Sequence, residues 1–199
     1  MEHDPRWLGP LLVLGAYLLG SVSFALLWAG ARGVDLRAVG SGNPGATNVR
    51  RALGPAAGRA VLALDAAKGA APVAVATWLL GSADPWTAGT GVAAVVGHCF
   101  PLWHRFAGGR GAATGVGVLL VACWPAGLSA LATYALLRRL SGRTSVGSLA
   151  GTVVGGVVTA AVLPWRDPRV GMAVAVGAVI VLRHLPNLRR LAKGAEPPS

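Results

Sequence analysis

The chain has 199 residues, of which 54% are hydrophobic and 13% are charged, and its mean hydropathy is +0.59. Soluble domains usually carry about 25% charged residues, so this composition indicates one domain, residues 1–199, embedded in a bilayer. The net charge of +11 does not indicate a nucleic-acid-binding protein, because Arg and Lys cluster beside apolar segments and no nucleic-acid-binding motif is present.

Three apolar segments occupy the first half of the chain. Residues 7–31 contain no charge and are long enough to cross a membrane, which takes about 20 residues in a helix. No basic region precedes them, so we expect a retained first span rather than a secretory signal. Residues 60–80 and 86–103 predict the next two spans. Asp65 and Lys68 interrupt the second span on one helix face, and we expect them to pair.

The uncharged segment 111–137 contains Pro125 near its middle. It is compatible with one long tilted helix or with two short helices that meet at the proline. Arginines stand on both sides of the segment, and basic residues beside apolar spans mark cytoplasmic ends. An even number of crossings satisfies this rule, so we favour the short helical pair.

Residues 145–164 and 170–183 predict the last two spans. The chain is then an all-α polytopic membrane protein of about seven transmembrane helices, with its N-terminus outside and its C-terminus cytoplasmic. The tail at about 194–199 is expected to be frayed.

Two loops between these segments consist mainly of small residues. Residues 40–48 read GSGNPGATN, and residues 108–111 read GGRG. Glycine exposes backbone N–H groups and adopts positive φ, so such loops are suited to wrapping phosphates. The charge pattern places both loops on the cytoplasmic side, together with residues 144–148 and 184–187. These amides, hydroxyls and arginines predict recognition of a polyanion, with phosphate as the obvious candidate.

These segments, together with LDAAKG at 64–69 and GHCFP at 97–101, resemble the bacterial acyl-phosphate:glycerol-3-phosphate acyltransferase family. The resemblance covers nearly the whole chain in order, and the 40–48 run is highly specific. It implies a seven-helix membrane enzyme of phospholipid biosynthesis. The implied reaction transfers a fatty acyl group from acyl phosphate to the 1-hydroxyl of sn-glycerol 3-phosphate, giving lysophosphatidate and phosphate.

Acyl phosphate carries a good leaving group, so such a site needs positioning and charge stabilisation more than a strong nucleophile. The sequence shows no Ser-His-Asp arrangement or G-x-S-x-G elbow, which argues against a covalent acyl-enzyme. The resemblance implies that the substrate's own phosphate helps to deprotonate the attacking hydroxyl. We expect no cofactor, no metal and no nucleic-acid partner, and a location in the bacterial inner membrane with the active site facing the cytoplasm.

Both the loop chemistry and the resemblance select candidate site residues. Catalytic roles are predicted for His184, Asn187, Ser145 and Arg110. Substrate or phosphate binding is predicted for Gly40, Ser41, Gly42, Asn43, Gly45, Thr47, Asn48, Arg51, Gly108, Gly109, Gly111 and Ser148.

Three segments depart from the family pattern, and the first of them, residues 20–25, lacks the family's usual proline and closing glycine. Arg110 stands where the family usually has lysine, and Pro186 lies between His184 and Asn187. The last two departures leave an alternative open, namely a non-catalytic organic-phosphate transporter or binding protein in the membrane, derived from the same family.

Overall fold

The computed structural model describes residues 7–198, and the regular secondary structure in this part of the chain is all helical, without a strand. A short 3-10 turn, Leu102–His104, follows the fifth helix. The α-helices in chain order are α1 (Leu8–Gly20), α2 (Phe24–Gly30), α3 (Ala46–Leu53), α4 (Pro55–Leu80), α5 (Pro85–Cys99), α6 (Ala112–Ala122), α7 (Trp124–Ser141), α8 (Thr144–Val162) and α9 (Pro168–Ala192).

Several helices have the length and apolarity of membrane spans. Four segments are long and apolar enough to cross a bilayer: Leu8–Gly30, Pro55–Leu80, Thr144–Val162 and Pro168–Ala192. The prediction of an all-α membrane protein is therefore confirmed, whereas the count of seven crossings stays a prediction. The predicted outside position of the N-terminus concerns residues 1–6, which lie outside the described residues.

The first predicted span is interrupted at residues 21–23, between α1 and α2. Such an interruption frees backbone carbonyls inside an apolar region, where each needs a partner. Lys68 of α4 donates from Nζ to the Val22 carbonyl at 2.7 Å. The same Nζ lies 2.9 Å from Asp65 Oδ1, which confirms the predicted Asp65–Lys68 pair. The buried ion pair thus also supports the broken first span.

The uncharged segment 111–137 forms two helices, as predicted. Helix α6 ends at Ala122, Cys123 is extended, and α7 begins at Trp124. Pro125 lies in the first turn of α7, where its missing N–H removes no helical hydrogen bond. The break at the proline is therefore part of the fold, and the membrane crossing of each half stays a prediction.

Glycines set the spacing between the helices that surround the interior. A Cβ on Gly117 would lie 2.0 Å from the Ala66 carbonyl oxygen, and one on Gly69 would lie 2.2 Å from the Thr114 oxygen. Helices α4 and α6 therefore touch backbone to backbone, as small residues allow in membrane bundles. The larger buried apolar cluster lies beside them, among α4, α5, α6 and α9.

The last helix and the tail differ from the sequence prediction. Helix α9 continues past the predicted end at 183 to Ala192, with Pro186 inside it. The tail, expected to be frayed, folds back: Arg143 Nε donates to the Glu196 carbonyl at 3.3 Å, and the Glu196 residue is only 8% exposed. The physical reason is electrostatic, because a lone carboxylate finds several hydrogen-bond donors beside the end of α9.

Candidate active site

A cavity of about 490 Å³ lies among α3, α4, α6, α7, α8 and α9. Most of the predicted site residues line it, although they come from four separate parts of the chain. These are Ser41, Asn43, Gly45, Thr47, Asn48, Arg51, Arg110, Gly111, Ser145, Ser148, His184 and Asn187. The structure therefore brings together the segments that the sequence analysis singled out.

The 40–48 loop owes its shape to two glycines and one asparagine. Gly40 and Gly42 do not line the cavity, but both adopt left-handed backbone, with φ of 58° and 67°. Asn48 is buried, and its Nδ2 donates to the carbonyls of Leu36 at 2.9 Å and Val39 at 3.0 Å. Its Oδ1 accepts from the Ser41 N–H at 3.2 Å. Asn48 thus holds the loop that presents Ser41, in addition to its predicted contact with substrate.

The 108–111 loop is also held from within. The Gly108 N–H donates to the Cys99 carbonyl at 3.3 Å, and the Gly109 N–H donates to the His98 carbonyl at 3.1 Å. Neither glycine lines the cavity. The structure therefore differs from the prediction that Gly108 and Gly109 bind phosphate, because their N–H groups already have backbone acceptors. The loop contributes Arg110 and Gly111 to the cavity instead.

Arg183 clamps the same loop from α9. Its Nη2 donates to the Gly108 carbonyl at 2.7 Å and its Nε to the Gly109 carbonyl at 3.0 Å. This planar two-point contact fixes the loop that carries Arg110. No sequence pattern pairs Arg183 with this loop, which lies more than seventy residues away along the chain.

His184 and Asn187 present acceptor atoms on the cavity face of α9. The His184 Nδ1 lies 2.8 Å from the Ile180 carbonyl oxygen. Because a carbonyl only accepts, Nδ1 carries the hydrogen of the neutral ring and Nε2 is left as an acceptor. The Asn187 Nδ2 donates to Glu196 Oε1, and the buried Asn187 Oδ1 has no hydrogen-bond partner among the described residues. Pro186 does not separate the pair, since both side chains line the same cavity.

Glu196 and Arg190 complete the polar end of the cavity. Arg190 Nε donates to Glu196 Oε2 at 2.7 Å, and the Ser145 hydroxyl faces the same carboxylate. Burial raises the pKa of Glu196, but hydrogen bonds from Asn187 and Arg190 outweigh it and hold the pKa below its ordinary value. The carboxylate is therefore ionised at neutral pH.

Sequence reasoning missed these two residues for different reasons. The spacing of His184, Asn187 and Arg190 on one helix face was a usable signal for Arg190. No comparable signal marked Glu196, because a polar, Pro-containing tail normally frays.

Positive charge dominates this polar end. Arg51, Arg59, Arg110 and Arg190 line it. Burial lowers the pKa of Arg110 to about 10, with Glu196 raising it and neighbouring guanidinium groups lowering it, so Arg110 remains protonated at neutral pH. Guanidinium groups bind phosphate bidentately, and water-poor surroundings strengthen such contacts. The arrangement is suited to holding more than one phosphate.

Known proteins resemble the chain over almost its full length. A family model described as glycerol-3-phosphate acyltransferase matches residues 10–194. A protein named glycerol-3-phosphate acyltransferase from Anaeromyxobacter sp. (strain Fw109-5) is 46% identical over 193 residues, which is 95% of each chain. One with the same name from Gluconobacter oxydans (strain 621H) is 42% identical, covering 94% of this chain and 91% of the relative.

Two solved structures share the fold. They are crystal structures of PlsY (YgiH), an integral membrane glycerol 3-phosphate acyltransferase, in its glycerol 3-phosphate form and its lysophosphatidic acid form. The first superimposes with a TM-score of 0.92 at 37% identity, covering 96% of this chain and 95% of the other. The second gives 0.89 at 36% identity, covering 96% and 94%. These matches confirm the resemblance and the predicted enzyme class, and the chain belongs to the glycerol-3-phosphate acyltransferase family.

Proposed function

We propose that the enzyme transfers a fatty acyl group from acyl phosphate to the 1-hydroxyl of sn-glycerol 3-phosphate, releasing lysophosphatidate and inorganic phosphate. One observation carries this proposal: a single cavity joins a cluster of arginines at one end to an apolar interior at the other. An acyl phosphate has the same two-part character, an anionic head on an alkyl chain. The relatives named glycerol-3-phosphate acyltransferase support the identity of the acceptor.

The arginines account for binding of both phosphates. Arg51 follows the 40–48 loop and Arg110 follows the 108–109 glycines, so each loop delivers one guanidinium to the cavity. Two phosphate groups held near each other repel, and several fixed cations offset that repulsion. Ser41 and Ser145 add hydroxyl donors to the same cavity.

His184 and Asn187 orient the acceptor alcohol. The His184 Nε2 and the Asn187 Oδ1 are both acceptors, and the hydroxyls of glycerol 3-phosphate are donors. Binding in this way aims the 1-hydroxyl oxygen at the acyl carbon and fixes the reacting groups without a covalent enzyme intermediate.

The reaction needs no chemical group beyond the two substrates to balance the bonds that form and break. The hydroxyl oxygen forms a new bond to the acyl carbon, and the bond from that carbon to the phosphate oxygen breaks with its electron pair leaving on phosphate. The proton passes to a phosphate oxygen. Arg110 stabilises the charge that grows on the departing phosphate.

The same proposal includes the membrane orientation. Basic residues flank both ends of the α6–α7 pair, which favours cytoplasmic ends for that pair and a cytoplasm-facing polar cluster. The enzyme then crosses the bacterial inner membrane seven times and meets water-soluble glycerol 3-phosphate on the cytoplasmic side.

An acceptor-dependence assay tests the reaction. Detergent-purified enzyme is mixed with palmitoyl phosphate, and inorganic phosphate and lysophosphatidate are measured with and without glycerol 3-phosphate. We expect phosphate release that depends on the acceptor and matches product formation. Asn187→Ala should remove turnover, whereas Arg189→Gln, a change at an exposed neighbour, should keep it. Folded wild-type protein without acceptor-dependent release would contradict the proposal.

The transporter alternative makes a different prediction. A transporter in liposomes exchanges labelled glycerol 3-phosphate across the bilayer, whereas an acyltransferase converts it on one side. We expect no such exchange. The relatives named as acyltransferases favour the enzyme.

A further inference from the structure

The apolar part of the cavity extends away from the arginine cluster and ends among residues of four helices. Helices α6 and α8 run away from the polar cluster, and α7 and α9 run back toward it. Along all four, the residues become apolar or small with distance from the arginines. The far end is formed by Leu119 and Leu120 of α6, Leu131 of α7, Gly156 of α8 and Ala173 of α9.

One stripe of α8 follows the cavity from end to end. Ser145, Ser148, Thr152 and Gly156 line it at spacings of three and four residues, as one helix face requires. The stripe begins with the hydroxyls of Ser145 and Ser148 and ends at Gly156, which has no side chain. Gly156 therefore leaves space at the depth where the other helices supply bulk.

Gly156 differs from the neighbouring glycines of α8 in what surrounds it. A Cβ on Gly155 would lie 2.9 Å from Leu119 Cδ1, and one on Gly151 would lie 2.6 Å from the Ala130 oxygen. Both glycines are needed where α8 packs against other helices. A Cβ on Gly156 would meet nothing within 4 Å. Helix packing therefore does not require glycine at this position, and the open space lies beside a residue that lines the cavity.

The depth of Gly156 corresponds to a specific part of an acyl chain. Eleven residues of helix separate it from Ser145, which at about 1.5 Å per residue is roughly 16 Å. An extended chain of single bonds advances about 1.2 Å per bond, as extended polypeptide does. A chain whose carbonyl lies at the level of Ser145 therefore reaches Gly156 after about 13 bonds.

We propose that Gly156 determines the longest acyl chain that the enzyme uses efficiently, because its missing side chain leaves room for the chain's terminal methylenes. This inference rests on the proposed function, which places the acyl phosphate head among the arginines. A side chain at Gly156 shortens the cavity without disturbing helix packing, so it excludes long donors and accepts short ones.

The test compares two donors in three variants. For Gly156→Leu we expect kcat/KM for palmitoyl phosphate to fall at least about tenfold, because several methylenes lose their place, while decanoyl phosphate stays within about twofold. Gly156→Ala should shift the palmitoyl-to-decanoyl ratio in the same direction by a smaller factor. Gly171→Leu is the matched control, since Gly171 of α9 also has open space for a Cβ but lies outside the cavity lining.

The outcomes separate this inference from the proposed function. A palmitoyl-to-decanoyl ratio that stays unchanged in both Gly156 variants, with active wild-type enzyme, would overturn the inference alone. A ratio that falls equally in Gly171→Leu would also overturn it. Folded wild-type enzyme inactive with both donors would overturn the proposed function and the inference together. If Gly156→Leu does not fold, the ratio in Gly156→Ala decides.

Discussion

Replacement of Glu196 tests whether the tail belongs to the active site. In the structure the Glu196 carboxylate accepts hydrogen bonds from Asn187 and Arg190, and the residue is 8% exposed. In the proposed function Asn187 Oδ1 faces the acceptor alcohol, and the hydrogen bond from its Nδ2 to Glu196 fixes that orientation. Glu196→Ala removes that hold and leaves two donors without their acceptor. We therefore expect loss of activity rather than loss of fold.

The size of the effect follows from the two hydrogen bonds. Hydrogen bonds to a charged group contribute about 1.5–3 kcal/mol each, and the partly exposed Arg190 regains some of this from water. A loss of about 1.5–3 kcal/mol in total corresponds to a decrease of roughly 10- to 100-fold in kcat/KM. Glu196→Gln keeps one carbonyl acceptor and should fall between wild type and Glu196→Ala.

The assay is acceptor-dependent phosphate release at neutral pH, with size-exclusion elution and thermal unfolding as controls for folding. Because the fold lowers the pKa of Glu196, its ionised carboxylate contributes fully to the stability of the folded protein above the ordinary pKa of 4.5. That contribution to stability is lost as the pH falls through the lowered pKa. Arg190→Gln should reproduce much of the Glu196→Ala defect, and the double variant should be little worse than either.

Two results would refute this reasoning. A Glu196→Ala enzyme with kcat/KM within about twofold of wild type would show that the tail contact does not position Asn187. A clear increase in activity would show that the carboxylate obstructs the arginine cluster instead of supporting it. The exposed neighbour variant Arg189→Gln should leave kcat/KM unchanged and controls for a general change of charge near the helix end.

Three further substitutions test how the cavity is held. A Cβ in Gly108→Ala would lie 2.2 Å from the His98 carbonyl oxygen, so the loop must shift, and we expect KM for the phosphate substrates to rise at least about fivefold in saturation kinetics. Arg183→Gln removes both hydrogen bonds to the same loop and should raise KM by a similar factor. It should change the unfolding temperature less than Gly108→Ala does. Lys68→Met leaves the buried Asp65 carboxylate without its cation; stability should fall by about 3–5 kcal/mol in a denaturation experiment, and a wild-type midpoint would contradict this.

The sequence predicted the helices well because apolarity and proline act locally. The uncharged run at 111–137, with Pro125 near its centre, was sufficient to predict the α6–α7 break. The spacing of Asp65 and Lys68 was sufficient to predict their pair. In contrast, the contact between Lys68 and the Val22 carbonyl depends on how α4 packs against the first span, which no local pattern encodes.

The site was predictable to the level of segments but not of atoms. Sequence patterns selected segments that the fold brings to one cavity, yet they treated every glycine of a loop as a donor to phosphate. In the structure the N–H groups of Gly108 and Gly109 already donate hydrogen bonds to backbone carbonyls. Whether a glycine N–H is free depends on which segment packs beside it in the fold. Here the acceptors are the carbonyls of residues 98–99, at the end of α5. The contacts of Glu196 could not be predicted for the same reason, because they form only when the tail folds back onto α9.

Pro186 connects the tail to the helix that carries His184 and Asn187. Proline has no N–H to donate to the carbonyl one turn earlier, so α9 lacks the backbone hydrogen bond from position 186 to the Leu182 carbonyl. The Glu196 carboxylate accepts hydrogen bonds from Asn187 and Arg190, which lie just beyond the proline. The tail therefore stabilises the turn of α9 in which Pro186 removes a backbone hydrogen bond. If His184 and Asn187 orient the acceptor as proposed, a contact beyond the end of the helix helps to set their geometry.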